Sequence, residues 1–159
     1  MYRSRVWWGA FVAGVLVTLW VVPTVYRRDV QADEGAETHK LAPVDRSMHE
    51  FMEYYFQPTY QRLKPAMASA PTDNARWRAI KSDALILGEG GNLLQLRTPP
   101  RDPAKWNTLS VAVRDTAAQL YKAARKKDFE ASRKSYELML ESCNACHKQF
   151  AGGKHILAP

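Results

Sequence analysis

The chain has 159 residues, 46% hydrophobic and 25% charged, with two cysteines and a formal net charge of +7. That length fits one domain plus appendages and suffices for a hydrophobic core without disulfide staples. Composition excludes a collagen, a disulfide-dense toxin and a wholly disordered tail, and no P-loop signature is present.

Arg3 and Arg5 precede an uncharged run of 21 residues, Val6 to Tyr26, which Arg27 and Arg28 close. At about 1.5 Å per residue such a helix spans roughly 31 Å, one hydrocarbon core. Trp7, Trp8 and Tyr26 fit interfacial positions, and Pro23 sits near the far end, where a lost backbone hydrogen bond matters least. A cleaved signal peptide is the alternative, but its apolar core is usually shorter, and the one passable site, Val30-Gln31-Ala32, lies beyond the double arginine. Residues 1–28 therefore read as a retained membrane anchor. Two arginines on each side leave the orientation rule undecided, and either outcome exports the remaining chain or leaves it membrane-attached. Of the 23 basic residues, 19 lie beyond residue 28 with all 16 acidic ones, leaving +3. That is an ordinary surface charge, so nucleic acid drops out as a partner.

Residues 29–44, with Asp33, Glu34, Glu37, Gly35 and Pro43, read as a solvated tether. Helical punctuation follows. Asp45 is positioned to cap a helix whose stripe runs Met48, Phe51, Met52, Tyr55, Phe56, Tyr60 and Leu63, with Pro58 expected to kink it or loosen a turn. Ser69–Asp73 is a turn. A second stripe, Trp77, Ile80, Ala84, Leu87 and Leu94, contains Gly88, Gly90 and Gly91, which either break the helix or admit a close neighbour. The third stripe is Trp106, Leu109, Val113, Ala117, Leu120 and Ala124, and Lys126-Lys127-Asp128 connects it to a fourth. The fourth runs Phe129, Tyr136, Met139, Leu140, Cys143, His147 and Phe150, and Gly152-Gly153 stops it. No period-2 segment is sustained. The fold class is all-α: an antiparallel four-helix bundle over residues 45–153, with an N-terminal transmembrane helix and a short tail, 154–159.

Both cysteines fall in Cys143-Asn144-Ala145-Cys146-His147, and CxxCH is the attachment signal for c-type haem. Thiols three residues apart on a helix share a side and can add across two vinyl groups, and His147 is then placed to bind the iron. Three other uses of the pair are weaker. A zinc site needs further ligands, and the chain has no other cysteine. A redox CxxC normally opens a helix, whereas this one lies in the last turns of one. A disulfide here would close only a tiny loop.

A four-helix chain with CxxCH near its end and Phe three residues after the histidine resembles the cytochrome c′ family, which includes six-coordinate relatives with a Met ligand. The resemblance covers about residues 45–153, and its specific motif is Ser142-Cys143-Asn144-Ala145-Cys146-His147-Lys148-Gln149-Phe150. It implies one covalent haem gripped by the fourth helix, with the first helix over its distal face. The family often has Arg or Lys soon after the attachment motif; here Lys148 stands nearest and the chain continues in Gly-rich sequence. The Met-ligated relatives place their ligand early in the first helix, where Met52 lies, with Met48 one turn before it as the alternative. Core packing is the other use of both side chains. His49 reads as a surface or propionate-side residue, His39 and His155 lack a helix to hold them over iron, and Arg46, Arg76 and Lys81 are available to propionates.

A Met-ligated iron suits an electron-carrying cytochrome, exported to the periplasmic side and tethered to the inner membrane. An open distal side suits a protein that binds nitric oxide or carbon monoxide. A haem-free helical module with a redox-active CxxC is a third reading. No triad, carboxylate dyad or metal-hydrolase motif supports an enzyme. Lys122, Arg125, Lys126, Lys127, Arg133 and Lys134 form either a docking face for an acidic redox partner or a solvated surface. A homodimer through the first two helices is implied by the resemblance alone.

Overall fold

A computed structural model describes residues 41–159. The run from 6 to 26, with the anchor expected there, falls outside them, as does most of the tether. Among the described residues no helix is long and apolar enough to cross a membrane, and there is no strand.

The first helix is continuous but has three parts: α1 (Met48–Phe51), a π turn (Met52–Phe56) and α2 (Gln57–Ala66). Its cap is Ser47, whose side chain accepts the Glu50 N–H at 3.2 Å, and not Asp45 as the sequence suggested. The Asp45 carboxylate instead accepts the Ser47 N–H, a local turn that holds the capping residue in place. Pro58 explains the π turn. It has no N–H, and its ring crowds the carbonyl four residues back. Just before it the Gln57 N–H reaches back five residues to the Met52 carbonyl, which widens the turn, and the Thr59 hydroxyl donates to the Tyr55 carbonyl at 2.8 Å. The expected disturbance is a loosened turn.

Helix α3 (Asn74–Gln95) is capped by Asp73, whose carboxylate accepts the Arg76 N–H at 2.8 Å. It buries its whole expected stripe and runs unbroken through the three glycines. A Cβ on Gly90 would lie 2.7 Å from the Phe56 ring, and one on Gly91 would lie 2.7 Å from the Arg114 backbone nitrogen. Gly90 and Gly91 are therefore sites of close approach: the first admits the aromatics of the first helix, the second the backbone of α4 (Pro103–Arg125). Helix α4 starts from Asp102 with proline in its first turn, where a missing N–H costs nothing. Left-handed Lys127 (φ 57°) and the Asp128 cap make the tight turn into α5 (Phe129–Phe150), and left-handed Gly152 and Gly153 end it.

Helices α3 and α4, and α4 and α5, pack side by side, and the first helix leans on α3. The bundle is held at the α5 end by Trp106. Its indole N–H donates to the Leu94 carbonyl at 2.9 Å, and Phe150 meets its ring edge-on at 5.0 Å. On the first helix, Arg62 makes two hydrogen bonds to one oxygen of buried Asp83 on α3, the shorter at 2.7 Å. The first and last helices stand apart: no Cα of one lies within 8 Å of a Cα of the other. The space between them is the site.

Candidate haem pocket

A cavity of about 530 Å³ fills that gap, within the range of cofactor sites. Helix α5 contributes Cys143, Cys146 and His147 to one wall, and the first helix contributes Met52, Phe56 and Tyr60 to the opposite one. Leu87, Leu94, Val113 and Leu140 make the interior apolar. The helical spacing that put the thiols and the imidazole on one side in the sequence is thus realised around a void. Met52 opens the π turn, where the loosened backbone carries the one methionine of the first helix that lines the cavity. Met48 packs partly buried against the core and is not among the lining residues.

The two cysteines are free thiols. Burial pushes Cys143 up to about 12, with Cys146 beside it adding to the rise, and pushes Cys146 up to about 11. Both are therefore protonated at neutral pH, the reverse of a redox CxxC, whose leading thiol is held as thiolate.

His147 has a defined tautomer. Its Nδ1 lies 2.8 Å from the His155 carbonyl oxygen, which can only accept, so Nδ1 carries the hydrogen and Nε2 keeps its lone pair. Burial lowers the imidazole pKa, opposed in part by that same carbonyl, and favours the neutral ring a metal requires. Two protonated thiols, a neutral imidazole with a free nitrogen, an opposing thioether and apolar walls fit the chemistry of haem c. Cys143 and Cys146 would hold it as thioethers, and His147 and Met52 would ligate its iron.

Other residues singled out in the sequence fall elsewhere. His49 lies at the cavity mouth, 3.0 Å from the Glu53 carboxylate. Arg76 stays with Asp73 at 3.6 Å, and Lys81 borders a separate depression with Arg78, Arg125 and Lys127. That depression and the cationic stretch occupy the opposite end of the bundle: from Phe129 to His147, α5 rises about 27 Å. The tail was the part least legible in advance. Ile156 and Leu157 line the cavity, and Asn144, between the cysteines, exchanges two hydrogen bonds with the Leu157 backbone at 2.9 and 2.8 Å.

No curated protein matches the chain. Residues 101–151 match the family model described as Cytochrome C'. The matched span runs through α4 and α5 and contains the two thiols and His147, so this part of the chain is similar to the cytochrome c′ family.

Proposed function

We propose that the protein is a membrane-tethered, exported monohaem cytochrome that carries single electrons. One observation carries the reading: a single apolar cavity has the CxxCH side chains on one wall and the Met52 thioether on the other. When bound, haem supplies a one-electron iron couple. The protein's part is to hold and tune it. The neutral His147 ring offers Nε2 from one side. Met52 would offer its sulfur from the other, which would raise the potential and compete with a gas for the iron. Leu87, Leu94 and Leu140, which line the cavity, would keep water from the bound group. The cationic stretch at the far end of α5 lies too far from His147 to place a redox partner beside the haem; Arg133 is tied to the Met67 carbonyl and to Glu137, and we take the other five as solvated surface.

Met52→Leu in the haem-loaded protein is expected to turn a low-spin visible spectrum high-spin and to let the reduced form bind carbon monoxide. Met48→Leu is expected to leave the spectrum unchanged. A wild-type protein that is already high-spin and binds carbon monoxide would replace electron transfer with gas binding. For the tether, the full chain is expected to stay in the membrane pellet after alkaline carbonate washing, and a chain starting at residue 45 to be released. Release of the full chain by the wash would sink the anchor.

A further inference from the structure

Beyond α5 the chain does not trail away. It turns at Gly152 and Gly153 and crosses the opening between the last helix and the first. Four contacts fix it. The His147 Nδ1–H donates to the His155 carbonyl at 2.8 Å, and the Asn144 side chain pairs with the Leu157 backbone in both directions. On the other side of the gap the Tyr60 hydroxyl donates to the Ala158 carbonyl at 2.7 Å, and the Lys64 ammonium donates to the same oxygen at 3.1 Å. These bonds join two helices whose backbones do not touch. His155 is also left-handed, at φ 58°, a conformation that a non-glycine residue disfavours. Such strain persists only where the surroundings hold it. Here it accompanies the carbonyl that meets the imidazole.

We propose that residues 154–159 are a strap that positions the iron ligand. The His155 carbonyl fixes the Nδ1–H tautomer of His147, stops the ring from rotating and aims Nε2 into the cavity. Asn144 and Tyr60 act through the strap, as its anchors on either bank. The proposal rests on the haem reading above, because the ring needs aiming only if it binds metal. A carbonyl behind a ligating imidazole also makes it a stronger donor, so the strap tunes the iron as well as holding its ligand. Nothing in the side-chain pattern of Lys154–Pro159 signals this, since three of the strap's acceptors are backbone carbonyls.

The test uses the full chain matured with haem. The exchange of the His147 ring N–H with D2O is followed by NMR through its hyperfine-shifted signal in the ferric state. Wild type is expected to exchange slowly. A chain ending at Lys154 is expected to exchange at least tenfold faster, and in the Met52→Leu background, which admits carbon monoxide, the same truncation is expected to lower the iron–histidine stretching frequency of the reduced state, read after photolysis of bound carbon monoxide. Asn144→Ala should give an intermediate rate. His155→Gly keeps the carbonyl, suits the left-handed backbone and is expected to exchange as slowly as wild type, which a purely side-chain role for His155 forbids. If haem is covalently present and truncation moves neither the exchange rate nor the stretching frequency, the strap does not position the ligand. If wild type carries no haem, the haem reading fails and the strap proposal falls with it.

Discussion

Replacing both Cys143 and Cys146 by serine is expected to abolish covalent haem completely, so that acid-acetone strips all pigment from the protein. The thiols line the cavity wall, Cys146 buried and Cys143 partly so, and serine matches their size without forming a thioether. His147 keeps its carbonyl partner in this variant and can still bind iron, so pigment that survives mild purification but not extraction is the expected phenotype. A single replacement should leave one thioether and a shifted absorption band. A denaturing gel stained for haem peroxidase reads all three proteins together. A doubly substituted chain that still stains would mean attachment lies elsewhere.

The second large effect concerns the frame. Gly91→Ala puts a methyl 2.7–2.8 Å from the Arg114 backbone, which can yield only if α3 and α4 move apart. Overpacking of this kind costs about 1–3 kcal/mol, more than the roughly 1 kcal/mol that alanine recovers over glycine in a helix. The Gly88→Ala methyl would meet nothing closer than 3.7 Å. It should therefore keep the propensity gain and melt about 2–4 °C higher, while Gly91→Ala melts lower than wild type. Equal melting temperatures for the two variants would mean that the helices part freely and that Gly91 is not a site of close approach.

These glycines show how far the sequence could be read. The three- and four-residue apolar steps located every helix among the described residues, because burying one stripe against a core is what that spacing encodes. Trp77 through Leu94 and Trp106 through Ala124 are buried as the pattern requires. The glycines were legible as either a break or a close approach, and only the positions of Phe56 and Arg114 decide between these. The cap was misplaced by two residues because Asp45 and Ser47 are both capping types, and the Asp45 side chain went to the Ser47 N–H instead of starting the helix. Pro58 announced a disturbance but not its form.

The candidate site divides in the same way. CxxCH points to Cys143, Cys146 and His147 together, because spacing alone puts the three on one side of a helix, and all three line the cavity. Met48 and Met52 sit one turn apart on one stripe, and periodicity cannot rank them; the cavity wall includes Met52. The strap was illegible for a different reason. Its bonds run through the carbonyls of His155, Leu157 and Ala158, and every residue has a carbonyl.

The central claim is that this cavity holds one haem covalently. Intact mass spectrometry of the full chain, matured with haem and then denatured, tests it most directly. The account predicts a single species heavier than the bare chain by one haem, and loss of that increment in the Cys143→Ser, Cys146→Ser double variant. A bare chain, or one lighter by two hydrogens because Cys143 and Cys146 have oxidised to each other, would contradict it.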